Sequence, residues 1–160
     1  MSCCKDNIPE FFFTLNEGLD DSFLPSRSDL ESTGWDVKAA IEITIDPFSY
    51  FKIPLGFRAF PPEGWWFQLH PRSSSFTKKS MHILVGIIDE TYPQEVILAG
   101  QYLPNHGNDS SIIISKGERI GQIIPVKRQE MLVSKVSAED FNALCERRAA
   151  VRSGGFGSTG

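Results

Sequence analysis

The side chains best suited to chemistry in this sequence form a carboxylate and phenol pair. Asp89 and Tyr92 follow the apolar run 83–88, which predicts a hairpin tip over 89–92. At such a tip a carboxylate can orient a water molecule, and a phenol can lie beside a sugar. Hairpin tips also favour acidic residues simply because they are solvated. The residues alone leave both interpretations open.

Two other segments have the composition of anion-binding sites. In Pro71-Arg72-Ser73-Ser74-Ser75 a guanidinium lies beside hydroxyls, and a guanidinium can hold an anion through bidentate contacts. The C-terminal segment 154–160 is rich in glycine, whose backbone N–H groups can surround an anion. Within it, Ser158 and Thr159 supply donors and Phe156 offers a flat face for a base. A solvated loop and a disordered terminus are the simpler alternatives.

Asp36 and Gln122 are single polar residues within apolar segments. Asp36 follows Thr33-Gly34-Trp35, where its carboxylate either faces a hydrated cation or caps a turn. Gln122 lies in a predicted strand and either binds a ligand or pairs with a neighbouring strand. Sequence position by itself does not decide between these roles.

The composition is that of one globular domain without a membrane span. The chain has 160 residues, of which 41% are hydrophobic, and a formal net charge of −4. That charge argues against nucleic acid as a partner, because duplex binding relies on clustered Lys and Arg. The three cysteines make a poor disulfide framework, and the first seven residues lack a secretory signal pattern. We therefore expect a cytoplasmic or other reducing intracellular compartment, with no membrane contact.

Short apolar or alternating runs separated by polar turns predict an antiparallel β-sandwich or barrel. In the run 39–45, Ile41, Ile43 and Ile45 alternate and should share one face. One helix is predicted after Ser137, with acidic residues in its first turn, ending near residue 149. The other predicted strands are 57–60, 65–70, 83–88, 95–99, 111–115 and 119–126.

Five of these segments stand in a definite order along the chain. They are Gly34-Trp35-Asp36-Val37, Pro71-Arg72-Ser73-Ser74, Gly86-Ile87-Ile88-Asp89 through Tyr92 and Glu95, Gly117-Glu118-Arg119-Ile120-Gly121-Gln122, and Gly155-Phe156-Gly157-Ser158-Thr159-Gly160. In this order they resemble the five motifs of the trimeric dUTP pyrophosphatase family. The resemblance implies an all-β, distorted jelly-roll or β-sandwich subunit in a homotrimer, with one short helix and a flexible C-terminal arm.

The family also implies how the chain is divided. A β domain would span 1–150, and its first thirty residues would form an N-terminal extension without an assigned role. The arm at 151–160 would close an active site assembled from three chains. In that site water adds to the α-phosphorus of dUTP, releasing dUMP and pyrophosphate, with Mg²⁺ as the cofactor.

Roles for individual residues follow from the same resemblance. Asp89 would hold the attacking water and the sugar 3′-hydroxyl, and Tyr92 would lie against the deoxyribose and exclude a 2′-hydroxyl. Backbone groups of the 83–88 strand, at Gly86 and Ile88, would read the uracil edge. Asp36 would touch water molecules bound to the Mg²⁺. The remaining substrate contacts would be Arg72, Ser73, Ser74, Gln122, Arg152, Gly157, Ser158 and Thr159, with Phe156 stacked over the base.

Departures from the family pattern keep alternatives open. Val151 stands where the family has an arginine, and Arg152 is one residue nearer to the following glycine pair. Pro93-Gln94 replaces a pair that usually ends in glycine, and proline removes an N–H from that turn. The alternatives are a hydrolase of dCTP or of another modified deoxypyrimidine triphosphate, and a non-catalytic regulatory trimer that binds nucleotide. The related dCTP deaminases need a glutamate where this chain has Ala99, which argues against deamination.

Overall fold

The computed structural model describes residues 8–105, 107 and 109–147. Between Arg128 and Gln129 the chain divides into two compact units. Within the described residues, every strand belongs to the first unit, and the second contains one helix. The domain boundary predicted at residue 150 lies outside the described residues and stays a prediction.

The described part of the first unit is built from short antiparallel strands, as the sequence predicts. Their pairing gives small sheets with the orders β2-β11-β6-β8, β4-β9-β7, β1-β5 and β10-β3. The strands are β1 (Phe12–Leu15), β2 (Trp35–Lys38), β3 (Ile43–Ile45), β4 (Tyr50–Pro54), β5 (Phe57–Phe60), β6 (Trp65–Pro71), β7 (Met81–Ile83), β8 (Gly86–Ile88), β9 (Ile97–Tyr102), β10 (Ile112–Ile114) and β11 (Arg119–Lys127). The helices are α1 (Ser73–Lys79) and α2 (Ala138–Arg147), with a single 3₁₀ turn at Asp21–Phe23.

The core of the first unit is formed by inward side chains of nearly all these strands. Its N-terminal part is aromatic: Phe13 meets Phe57 edge to face at 5.6 Å, and Phe11 lies 5.1 Å from Phe67. The pairing of β1 with β5 therefore makes residues from the predicted N-terminal extension part of this unit. The largest fully buried side chains are Tyr102, Phe57, Ile53, Leu55, Leu69, Met81, Leu98, Ile114, Ile120, Val37 and Val96.

The pattern over 39–45 predicts more strand than the chain forms. Only Ile43–Ile45 is extended and paired, because the chain bends at Ala40, whose N–H donates to the Pro54 carbonyl. Ile45 is buried, whereas Ile41 is 46% exposed and does not share its environment. The apolar alternation indicated a strand correctly but placed its start four residues too early.

The prediction of one continuous strand over 83–88 is wrong. The segment contributes to two strands in two different sheets: β7 pairs with β9, and β8 pairs with β6. Leu84 and Val85 cross between the sheets and are largely exposed. A continuous apolar run gives no signal for such a crossing, because both strands and the crossing residues are apolar.

The prediction of a single helix is also wrong. The predicted helix is present as α2, and Ser137 caps it by accepting a hydrogen bond from the Asp140 N–H at 3.0 Å. The additional helix, α1, lies where the sequence predicted a turn. It begins directly after Arg72 and ends at Lys79, and the next residue, Ser80, caps it in a left-handed conformation with φ of 50°.

Candidate functional site

Four of the predicted site residues line one polar cavity of about 320 Å³ in the first unit. Strand pairing brings them together, because Asp36 on β2 lies opposite Gln122 on β11, and Gln122 lies opposite His70 near the end of β6. Arg72 and Ser73 follow at the start of α1. The full lining of this polar cavity is Ser28, Ser32, Thr33, Gly34, Asp36, Arg72, Ser73 and Gln122.

Asp36 holds two guanidinium groups at the edge of the polar cavity. Its Oδ1 lies 3.0 Å from Arg72 Nε, and its Oδ2 lies 3.2 Å from Arg119 Nη1. All three side chains remain partly exposed, so water screens these pairs and their main effect is to orient the guanidiniums. Arg119 was not among the predicted site residues, although it lies in the same motif as Gln122.

A β-bulge explains how the Arg119 side chain reaches Asp36 on the face that also carries Gln122. Side chains three residues apart on a regular strand point to opposite faces. The pairing of β11 with β2 shifts register between Arg119 and Gly121, which leaves Ile120 as the extra residue. The shift turns Arg119 to the face that carries Gln122. Alternation read from the sequence assigns these two residues to opposite faces.

Gly34 makes room for the Gln122 side chain. A Cβ atom at position 34 would overlap Gln122 Oε1 and would lie 2.8 Å from its Cδ. In the space that glycine leaves, the Gln122 amide donates to the Pro71 carbonyl at 3.1 Å. The first and fourth motifs are therefore in direct contact, and the amide is held between β2 and the end of β6.

The 28–33 loop forms a further wall of the polar cavity that the sequence did not identify. Asp29 Oδ1 accepts from the Ser32 N–H at 2.6 Å, from the Ser32 hydroxyl at 2.8 Å and from the Glu31 N–H at 3.0 Å. These hydrogen bonds hold the pKa of the Asp29 carboxyl below its ordinary value, and the one from the Ser32 hydroxyl has the largest effect. From the other side, Arg27 donates to the Ser32 carbonyl at 3.1 Å and stacks 4.6 Å from the Trp35 ring centre.

Ser74 lines a neighbouring cavity of about 310 Å³ that shares Arg72 with the polar cavity. The next residue, Ser75, is buried and donates to the Ile120 carbonyl at 2.9 Å, which fixes α1 against β11. Lys79 and Glu118 form an ion pair at 2.6 Å across the same cavity. Arg72 and Ser73 thus project from a fixed helix start and not from the solvated loop that was the alternative.

Asp89 and Tyr92 are the first and last residues of one tight turn, which we call the acidic turn (89–92). It closes through the Tyr92 N–H and the Asp89 carbonyl at 3.0 Å. Pro93 follows this bond, so its missing N–H does not disturb the turn. The Asp89 side chain is exposed, and the Tyr92 hydroxyl donates to the Glu95 carbonyl at 3.3 Å.

Glu90 and Glu95 hold the acidic turn in place, and neither was predicted to do so. Glu90 accepts from the Gly64 N–H at 3.0 Å and pairs with Arg128 at 2.7 Å. Glu95 Oε1 accepts from the Gly56 N–H at 2.9 Å. From the sequence, acidic residues beside a turn are expected to be solvated. Only the fold shows that these two have hydrogen-bond or ion-pair partners.

Within one chain the acidic turn lies far from the polar cavity. In the sheet order β2-β11-β6-β8, Asp36 and Ile88 are three strands and three residue pairs apart. Ordinary sheet spacings put that separation at about 17 Å. Gly86 and Ile88 lie on β8, which forms an edge of this sheet among the described residues. The remaining predicted contacts, Arg152, Phe156, Gly157, Ser158 and Thr159, lie outside the described residues.

The donor set near the polar cavity is compatible with an Mg²⁺ ion that arrives with a ligand. Among residues 8–105, 107 and 109–147, no group of three or more His, Cys, Asp or Glu side chains is arranged to hold a metal. Asp36 supplies one carboxylate at the cavity edge, already paired with two guanidiniums. Such a carboxylate suits contact with water bound to Mg²⁺, which keeps several waters in most protein sites.

The same described residues contain no helix of the length and apolarity needed to span a membrane.

Comparison with known families matches a dUTPase model to residues 20–160. The chain belongs to the dUTPase family. A deoxyuridine 5′-triphosphate nucleotidohydrolase of Aquifex aeolicus is 40% identical over 114 residues, which cover 68% of this chain and 73% of that protein. The enzyme of the same name from Arabidopsis thaliana is 30% identical over 156 residues, or 97% of this chain and 87% of that protein.

Solved dUTPase structures share the fold. The Streptococcus mutans dUTPase superimposes with a TM-score of 0.66 at 23% identity, covering 77% of this chain and 98% of that chain. A dUTPase from phage phi11 of S. aureus, in which a structural Mg(II) ion is coordinated, gives 0.68 at 19% identity, covering 79% and 96%. These likenesses confirm the predicted jelly-roll-like β fold of the dUTPase family.

Proposed function

We propose that this chain is a dUTP diphosphatase, which hydrolyses dUTP to dUMP and pyrophosphate. Membership of the dUTPase family supports the reaction, and relatives that match most of the chain are named for it. The polar cavity is the observation that carries the proposal. It presents a guanidinium, an amide and hydroxyls in about 320 Å³, the donor types that a chain of phosphates requires.

In the proposed reaction Asp89 positions a water molecule and accepts its proton. The water oxygen bonds to the α-phosphorus, and the bond from that phosphorus to the oxygen bridging to the β-phosphorus breaks, so that pyrophosphate leaves. Tyr92 would lie against the deoxyribose, and the hydrogen bond from its hydroxyl to the Glu95 carbonyl would hold its ring in place. The outer edge of β8, at Gly86 and Ile88, offers backbone donors and acceptors that fit the edge of uracil.

Arg72, Ser73 and Gln122 would bind the phosphates from the polar cavity, with Ser74 beside them. Bound Mg²⁺ would neutralise charge on the triphosphate and favour departure of pyrophosphate. Asp36 would accept hydrogen bonds from the water molecules of that ion while keeping both guanidiniums oriented.

The complete site requires more than one copy of this chain. Reacting groups must approach to about 3 to 3.5 Å, and the end of β8, where the acidic turn begins, lies about 17 Å from Asp36 of the same chain. A homotrimer in which one subunit supplies Asp89 and another supplies Arg72 satisfies both requirements. The arm, with Arg152, Phe156, Gly157, Ser158 and Thr159, would then close the site over base and phosphates.

We propose a reducing intracellular compartment for the protein, because its three cysteines make a poor disulfide framework, and the half-buried thiol of Cys145 can be used to test this. The short second unit bears this thiol in α2. Labelling of the thiol in intact cells would check this assignment, since an oxidising compartment would leave it blocked.

A pyrophosphate-release screen tests the reaction. Purified protein with Mg²⁺ should release pyrophosphate from dUTP and much less from dCTP, dTTP or UTP. In ¹⁸O-labelled water the label should enter dUMP, because the attack is at the α-phosphorus. Label in pyrophosphate contradicts the mechanism, and preferred release from dCTP supports the alternative substrate. Binding of dUTP without release from any nucleotide supports the non-catalytic trimer.

Complementation tests the shared site. Asp89→Asn and Arg72→Ala should each be nearly inactive alone. When the two proteins are unfolded and refolded together in equal amounts, about a quarter of the sites should combine native Asp89 and native Arg72 from different chains. Recovery of about that fraction of activity supports the trimer. No recovery, with mixed oligomers present, contradicts it.

A further inference from the structure

Thr33 carries an unused donor at the polar cavity. Thr33 lines the cavity together with Ser73 and Gln122, and it is exposed. Within the described part of the chain, its hydroxyl has no hydrogen-bond partner. The neighbouring hydroxyls differ: Ser28 and Ser32 both donate to the Asp29 carboxylate, at 3.1 and 2.8 Å. Thr33 is therefore the hydroxyl of this loop that remains available to a ligand.

The 28–33 loop is held firmly enough to present that hydroxyl at a fixed place. The hydrogen bonds to Asp29 close the loop from within, and Arg27 binds the Ser32 carbonyl and stacks on Trp35. The segment before it is tied to β2, because Ser26 and Asp36 exchange backbone hydrogen bonds at 2.7 and 3.2 Å. Because this donor is already held in place before a ligand arrives, little conformational entropy is lost when the ligand binds.

We propose that Thr33 is a phosphate-binding residue of this site and that Asp29 is the positioning residue that holds the loop beside the phosphates. The inference rests on the proposed function, because it takes the triphosphate of the substrate as the ligand. Thr33 donates its hydroxyl hydrogen to a phosphate oxygen from the β2 side of the cavity, whereas Ser73 acts from the start of α1. Asp29 acts through Ser32 and does not touch the substrate.

Two substitutions at Thr33 separate the hydroxyl from the shape of the side chain. Thr33→Val removes the hydroxyl at nearly constant volume, and Thr33→Ser keeps it. Loss of one hydrogen bond to a charged group should raise KM for dUTP about tenfold in Thr33→Val, with kcat little changed, because substrate and transition state share the contact. Thr33→Ser should stay close to wild type. Thr44→Val, at an exposed threonine on β3 away from the cavity, is the matched control.

Calorimetry with two ligands locates the contact on the phosphates. Thr33→Val should weaken binding of a non-hydrolysable imido analogue of dUTP about tenfold and leave binding of deoxyuridine unchanged. A general disturbance of the site would weaken both ligands. Equal losses for both, or no loss for the analogue, overturn the assignment of Thr33.

Asp29 is tested through the same hydroxyl. Asp29→Asn retains an oxygen that accepts from the Ser32 N–H and should change KM little, whereas Asp29→Ala should raise KM several-fold. On a Thr33→Val background, Asp29→Ala should add almost nothing, because its effect passes through Thr33. Additive losses contradict the positioning role. Wild-type protein that binds and hydrolyses no dUTP refutes the proposed function, whereas an active wild type with an unaffected Thr33→Val variant refutes only this inference.

Discussion

Replacing Gly34 by alanine should weaken substrate binding while leaving the fold almost unchanged. The new Cβ would overlap Gln122 Oε1 and lie 2.8 Å from Cδ, closer than real Cβ atoms approach, so the amide must leave its position. It then loses its hydrogen bond to Pro71 at 3.1 Å, which costs about 1 kcal/mol of unfolding free energy. Gly34 does not have a positive φ, so alanine restricts the unfolded chain and restores about 0.4 to 1 kcal/mol.

The effect on KM should be much larger than the effect on stability. A displaced Gln122 no longer donates to a phosphate, and a hydrogen bond to a charged group contributes about 1.5 to 3 kcal/mol. KM for dUTP should therefore rise about tenfold or more, because 1.4 kcal/mol corresponds to a factor of ten. Steady-state pyrophosphate release gives KM, and thermal unfolding followed by circular dichroism should show a Tm within about 3 °C of wild type.

A double-mutant cycle decides whether Gln122 transmits the effect. Gln122→Ala alone should raise KM by a similar factor. Adding Gly34→Ala to that variant should change nothing more, since the atoms it would displace are gone. An unchanged KM in Gly34→Ala, or an equal loss in both backgrounds, refutes the reasoning from the Gly34 to Gln122 contact.

Three further substitutions test other parts of the structure. Asp36→Asn releases Arg72 and Arg119 and should raise the KM for dUTP measured by steady-state kinetics. Thermal unfolding should show a loss of only about 1 kcal/mol in unfolding free energy, because both ion pairs are partly exposed. A KM equal to that of the wild type would contradict the orienting role of Asp36. Asp89→Asn should lower kcat by about 10² to 10⁴-fold with calorimetric binding of the imido analogue retained, and unchanged turnover would remove Asp89 from the mechanism. Gly100→Ala brings a Cβ against the His82 carbonyl and to 2.7 Å from Phe51 Cζ, on the two strands that flank β9, so denaturant unfolding should show a loss of about 3 kcal/mol. Native stability would show that these neighbouring strands accommodate the extra atom.

Local patterns predicted the elements well where the local signal was unambiguous. The strand over 57–60 and the helix after Ser137 are present, because alternation and an N-cap are properties of neighbouring residues. The prediction for the segment 83–88 failed because its local signal is ambiguous. Its apolar run is compatible with one strand or two, and only pairing with β6 and β9 shows that the chain crosses between sheets.

The same distinction applies to the candidate site. Residue types and their order along the chain pointed to Asp36, Arg72, Ser73 and Gln122, and the fold places these four around one cavity. Nothing in the sequence marked the bulge at Ile120, which turns a second arginine toward Asp36. A bulge is a property of the pairing between two strands, so a single strand cannot reveal it.

By itself, the sequence determined the family, the β class and the residue types that suit a nucleoside triphosphate, because order and chemical type are linear properties. Tertiary structure alone decided which of these groups meet. Strand order separates Asp89 from the polar cavity, and long-range register brings β2, β11 and the start of α1 together. Sheet order and register arise from contacts between residues distant in sequence, and the separation they impose is the basis of our proposal that the site is divided between subunits.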